Sequence, residues 1–242
     1  MNNRKTGSKK QEAGIGVDQG SIDHRNDGKD NGSRSLIPRQ LFEEITDHLC
    51  SDQHPSAYIN GLLKKDGFDV HPFSMLKKLE VTPQSPVHHP EGCVWNHVAL
   101  VVDQAAQVRH LSYNPKVFMW AALLHDIGKG ETTRTRKGRI VSYDHDTVGM
   151  NLAINFLTEL TDDDSFIQQV SKLVKYHMHP LYVNKSLPFG DVKGMKAETD
   201  MHETALLGYC DRMGRLGCKT EEEKANIKEF LERCGVDVTL SL

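Results

Sequence analysis

The chain has 242 residues, a charged fraction of 26% and a formal net charge of −3. That balance excludes a globally basic nucleic-acid binder, although a local basic patch stays open. No run reaches membrane-span length and the N-terminus lacks the apolar core of a signal peptide, which predicts a cytoplasmic protein with no membrane partner. The five cysteines, Cys50, Cys93, Cys210, Cys218 and Cys234, form no CxxC pair and are odd in number. They read as reduced thiols, mostly small buried apolar groups. Neither Cys93 nor Cys210 has a sequence-evident basic partner that would make it a nucleophile.

Residues 1–35 are polar, with scattered glycines and both charge signs, and are expected to form a disordered tail. From Pro38 the pattern turns helical, with Leu41, Phe42, Ile45 and Leu49 on one stripe. Pro55 suits the first turn of a second helix, carrying Tyr58, Ile59, Leu62 and Leu63 and stopped near Gly67. Pro72 opens a third, with Phe73, Leu76 and Leu79, and a loop from Pro83 to Pro90 leads onward.

Val94, Val98, Val101, Val102 and Ala105 form the next apolar stripe. Pro115 starts a helix with Val117, Phe118, Ala121, Leu124 and His125, which Gly128 and Gly130 end. Thr132–Tyr143 is less helical and could make a short hairpin turning at Lys137-Gly138. Helices resume over Asp146–Leu160 and Ser165–His177, residues 183–197 read as a loop, and two last helices fit Glu203–Leu216 and Glu221–Cys234. With no repeat and no series of alternating strands, the fold class is all-α. The expected organisation is a tail over 1–35, a helical lead-in over 36–90 packed on the core, and one main domain over 91–242.

Eight of the thirteen histidines lie between His88 and His179. The most informative stretch is Ala121-Ala-Leu-Leu-His-Asp-Ile-Gly-Lys129, where a His-Asp pair ends an apolar helix. A carboxylate there is costly to bury without a partner. Adjacent side chains diverge by about 100° on a helix, and a metal near the helix end can be reached by both. Imidazole with carboxylate suits Mn, Fe, Co, Ni or Zn, with Mg admitted but less natural among several histidines. His97 sits on the Val94 stripe, His145 between Asp144 and Asp146, His177 at a helix end, and Asp211 on the stripe of Leu207 and Cys210. Each could be a satisfied polar group by itself, but together with His125-Asp126 coincidence is the poorer explanation. The segment after the pair is basic, Lys129, Arg134, Arg136, Lys137 and Arg139 against Glu131 alone, and admits phosphate or RNA-backbone contact.

The order His97, His125-Asp126, Asp211 resembles the HD-domain superfamily of metal phosphohydrolases. It is most similar to the HD domain of bacterial CCA-adding tRNA nucleotidyltransferases. The residues that carry the likeness are His89-Pro-Glu-Gly-Cys-Val-Trp-Asn-His97, Leu123-Leu-His-Asp-Ile-Gly-Lys129 with Thr132-Thr133, Asp144-His-Asp-Thr-Val-Gly149, Tyr176-His177 and Asp211-Arg-Met-Gly-Arg215. The likeness covers about residues 53–216. The glycine-rich turn and paired aspartates of the nucleotidyltransferase part are not found, so CCA addition is not expected.

The resemblance implies a free-standing HD helical bundle that hydrolyses a phosphomonoester or phosphodiester of nucleotide or RNA-end type, 2′,3′-cyclic phosphate included, through a metal-bound hydroxide. It implies that His97, His125, Asp126 and Asp211 ligate a first metal. His145 and His177 match positions that bind a second ion, bridged by Asp126. His179 is a weaker candidate, and Pro180 leaves its helix position open. Asp126 and Lys129 are the expected catalytic residues, Lys129 as a point charge on phosphate oxygens, with Arg134, Arg136 and Arg212 assisting. His88, His89 and Trp95 are expected to serve packing and the shape of the loop leading in. Two rivals remain, a di-iron oxygenase with the same ligand order and a non-catalytic nucleotide- or RNA-sensing module. A protein partner is not evident.

Overall fold

A computed structural model describes residues 36–65, 68–237, 240 and 242. The tail expected over 1–35 and the stop near Gly67 lie outside these residues. Helices α1 (Leu36–Ser51), α2 (Pro55–Leu63) and α3 (Ser74–Leu79) precede α4 (Val94–Val108) and α5 (Pro115–Leu124). A single turn, α6 (Lys129–Thr132), leads into a hairpin of β1 (Arg134–Arg136) and β2 (Arg139–Val141). Then come α7 (His145–Thr158), α8 (Asp164–Tyr176), α9 (His179–Asn184), α10 (Val192–Glu198), α11 (Met201–Met213) and α12 (Thr220–Arg233). The hairpin is the only sheet among the described residues, so the all-α class holds. No described helix is long and apolar enough to cross a membrane.

Helix α5 lies at the centre because it is apolar on every side, and such a helix must be buried. Val117 to Leu124 are all buried, against α1, α4, α8 and α11. Its start is set by Pro115 and by Asn114, whose side chain accepts from the Val117 amide. Trp120 stacks on Phe42 of α1 at 4.9 Å and donates its Nε1–H to Thr46 Oγ1 at 2.9 Å. Asp103 of α4 accepts from the Ser56 amide and hydroxyl at 3.0 and 2.8 Å, which fastens α2 to the same core. The first three helices thereby pack on α4 and α5 and leave the far ends of those helices free to carry polar groups.

The structure departs from the sequence reading in several places. The stretch 183–197 is not a plain loop, because α9 reaches into it as far as Asn184 and α10 covers its end, capped by Asp191 accepting from the Gly194 amide and anchored by buried Met195. One apolar anchor among glycine and lysine makes too faint a periodic signal. Helix α5 ends at Leu124, and Gly130 lies inside α6. The third helix begins at Ser74, two residues after Pro72. Of the five thiols only Cys210 and Cys234 are buried.

Candidate metal centre

Five segments end or turn at one point. His97 comes from the first turn of α4, and His125 and Asp126 follow the last residue of α5. His145 opens α7, His177 directly follows α8, and Asp211 lies near the end of α11. All six are buried, Asp126 to 1% and His97 and His125 to 0% exposure. They fall into two groups whose potential ligand atoms are mutually close, His97 with His125 and Asp211, and Asp126 with His145 and His177.

Asp126 lies between the groups and turns one oxygen to each. Its Oδ2 is 3.4 Å from His125 Nε2 and 3.8 Å from His97 Nε2. Its Oδ1 is 3.5 Å from His145 Nε2 and 3.7 Å from His177 Nε2. The rings are fixed from behind: His125, His145 and His177 set Nδ1 at 2.8, 2.8 and 2.6 Å from the carbonyls of Ala122, Ser142 and Val174, three residues earlier in each case. Such anchoring puts the proton on Nδ1 and leaves Nε2 as a lone pair, the form a metal needs. The Nε2 atoms of these three rings are buried without a hydrogen-bond partner. Three orphaned imidazole nitrogens around a shared carboxylate are costly as they stand and fit a divalent cation.

The electrostatics agree. Burial pushes His125 down and His145 down to about 4, so both are neutral imidazoles at pH 7. Burial also opposes protonation of His97 and His177, but Asp211 and Glu91 beside the first, and Asp126 beside the second, leave both raised. Burial alone would raise Asp126, yet the Lys129 ammonium and the imidazoles hold its carboxyl well below the usual range. Arg215 and His97 do the same for Asp211. Both carboxylates are therefore anions in a dry site.

A cavity of about 410 Å³ opens above this cluster, with Lys129 and His145 on its wall. Lys129 Nζ sits 2.6 Å from Asp126 Oδ2 and donates to Gln84 Oε1 at 2.8 Å. Arg212 reaches the cavity, but its guanidinium is held bidentately by Glu223 at 2.9 and 3.1 Å. Arg134 and Arg136 do not reach it. Thr135 pairs with Ile140 across the hairpin, and Ile140 lines the cavity, so strand alternation turns Arg134, Arg136 and Arg139 to the opposite face. His179 takes no part in either group; its Nε2 accepts from the Asp191 amide at 3.2 Å.

Sequence reasoning missed Arg215, Glu91 and the site role of His89. Arg215 lines the cavity and contacts both oxygens of Asp211 at 3.2 Å. Its i,i+4 spacing from Asp211 was a readable signal. Glu91 is buried between His89 and His97, and no local pattern marks it.

Comparison with known proteins places these residues in a family context. A sequence model described as the HD domain matches residues 94–215. A Multifunctional CCA protein of Pseudomonas syringae pv. syringae (strain B728a) is 31% identical over 154 residues, 60% of this chain and 34% of that protein. One from Azoarcus sp. (strain BH72) is 34% identical over 116 residues, 48% of this chain and 24% of that protein. The chain spans about a third of the length of the first of these relatives and a quarter of the second.

Proposed function

The chain belongs to the HD-domain family, and from that premise we propose that it is a metal-dependent phosphohydrolase acting on a nucleotide or RNA-end phosphoester. The observation that carries this reading is the convergence of unpartnered imidazole nitrogens on the two oxygens of Asp126 beneath an open cavity. His97, His125, Asp211 and Asp126 Oδ2 would hold one ion, and Asp126 Oδ1, His145 and His177 a second. A divalent ion there supplies Lewis acidity toward a phosphoryl oxygen and lowers the pKa of water from about 15.7 toward 7.

The chain's own groups do the rest. Lys129 and Arg215 bring two positive charges to the cavity, where phosphate oxygens would be bound and their developing charge neutralised. Ile140, Met178 and Leu181 form an apolar wall able to cover the rest of a small ligand and exclude water. The Nδ1 anchors hold the rings still, so little reorganisation accompanies binding. The test is hydrolysis of phosphomonoesters, 2′,3′- and 3′,5′-cyclic nucleotides and dinucleotides with Mn, Fe, Co, Ni, Zn or Mg. Turnover of at least one class with one of these metals is expected. No hydrolysis with any metal, or oxygen uptake by the iron-loaded protein instead, overturns the reading.

RNA as the partner is supported by the outer face of the hairpin. Arg134, Arg136 and Arg139 are exposed there and have no carboxylate partner among the described residues. Arg136 lies 5.5 Å over the ring of exposed Tyr143. Three arginines beside an aromatic suit a single strand lying along that outer face. Replacing all three with Ala should reduce the salt dependence of single-stranded RNA binding by about 2 in log–log slope, at roughly 0.7 per phosphate contact. An unchanged slope would mark them as solvated surface.

A further inference from the structure

Glu91 is a buried carboxylate that none of the ligand assignments uses. Its side chain is 2% exposed, yet it comes from the loop before α4. Its Oε1 is 2.8 Å from His89 Nδ1 and 3.0 Å from His97 Nδ1, the latter with the ring N–H off the oxygen's line. The two rings meet edge to face at 4.7 Å. The His97 and His89 imidazoles beside it outweigh burial and hold the carboxyl down at about 2.

A third cation among His89, Glu91 and His97 is the rival explanation, since their ligand atoms are mutually close. The spacings argue against it. His89 and His97 both bring Nδ1 to one and the same oxygen, Oε1, at hydrogen-bond distance. The arrangement is one acceptor shared by two imidazoles.

The other rings of the centre find their Nδ1 acceptors in backbone carbonyls three residues back. His97 lies within α4, where carbonyls are taken by the helix's own amides. Its acceptor therefore has to come from a side chain, and Glu91 is the group in place. The same oxygen holds His89, which lines the cavity. With Nδ1 engaged, Nε2 is the nitrogen His89 can present to a ligand.

We propose that Glu91 is the positioning residue of this centre, its one buried oxygen setting His97 Nε2 toward Asp126 and Asp211 and His89 onto the cavity wall. The proposal rests on the metal-centre reading above. It is tested by titrating the metal-free protein with Co(II) alone, following the d–d absorption and competing with a chromophoric chelator. Glu91→Ala should lower Co(II) affinity by about 10–100-fold, the usual loss for removing the group behind a ligand, and should shift the d–d bands. Glu91→Gln keeps the shape and an acceptor oxygen without the charge, and should fall between Glu91→Ala and wild type. His89→Ala leaves Glu91 on His97, so it should lose less Co(II) affinity than Glu91→Ala. A melting curve on each protein identifies any loss of fold, against which the near-isosteric Gln variant is the safeguard. The proposal is overturned if both Glu91 variants bind Co(II) as wild type does with unchanged bands, or if His89→Ala loses as much as Glu91→Ala. Wild-type protein that binds no Co(II) overturns the metal reading itself, and the proposal with it.

Discussion

Asp126 faces four imidazole nitrogens and the Lys129 ammonium while almost wholly buried, and two substitutions separate its role from that of its neighbour. Asp126→Ala removes the one group shared by both ligand sets. Hydrolysis should fall to background and metal content should drop with it, as measured by kinetics and elemental analysis on the same preparation. Lys129→Ala takes away no proposed ligand. Metal should stay, while kcat falls on the order of 10²–10³, the usual loss for one preorganised donor to developing charge. Full activity in Asp126→Ala would assign the hydrolysis to another site or a contaminant. Loss of metal in Lys129→Ala would show that the ammonium works by organising Asp126 rather than by meeting phosphate. The importance of His125-Asp126 was legible from residue type alone, a carboxylate at the end of an apolar helix. That Glu223 of α12 holds the Arg212 guanidinium was not, because the two side chains meet only in the fold.

At the scale of elements, Gly128 controls how closely α7 approaches the end of α5. A Cβ built there would lie 2.0 Å from the His145 carbonyl oxygen and 2.7 Å from the Gly149 amide nitrogen. Both are backbone atoms, so α7 would have to move and carry His145 away from Asp126. Gly128→Ala should therefore cost about 1–3 kcal/mol, as overpacking does, and should lower the metal-to-protein ratio. Gly149→Ala meets only Val174 Cγ1 within 3.2 Å, a side chain that can shift, and should be the milder change. Melting temperature and metal stoichiometry for the pair check this, and equal behaviour of the two would refute it. The hairpin turn at Lys137-Gly138 was readable, and both residues take the positive φ that a tight two-residue turn requires, 50° and 74°. Which face of that hairpin meets the cavity was not readable, since the parity of a two-stranded ribbon is set only by what packs against it.

For the whole molecule, a metal held by the buried cluster should stabilise the fold. An ion at 1,000 times its Kd stabilises the native state by about 4 kcal/mol. With about 2–4 °C of Tm per kcal/mol at this chain length, a chelator should lower Tm by roughly 8–16 °C. Mn(II) or Zn(II) added back in excess should restore it. A Tm indifferent to chelation and to added metal would mean that the centre folds and persists without an ion. The expectation follows from the tertiary arrangement, since helices α4, α5, α7, α8 and α11 all end or begin at the centre and bring its buried imidazoles and carboxylates together.

Helices α1 to α5, α7, α8, α11 and α12 were visible in the sequence because apolar spacing is a local property, needing only neighbours three and four residues away. That His97, His125-Asp126 and Asp211 stand at inward positions was visible for a similar reason, while their reading as an ordered ligand set came from the resemblance to the HD-domain superfamily. What tertiary structure alone decided was which of these groups share a space. His97 and Asp211 are 114 residues apart in the chain and 2.9 Å apart in the fold. Glu91 is an ordinary loop acid until α4 sets His97 against it. Arg134 and Arg136 are cations near a metal motif until strand pairing turns them away. In each case the deciding interaction is a burial or a register set by residues distant in sequence, which no local pattern of polarity can encode.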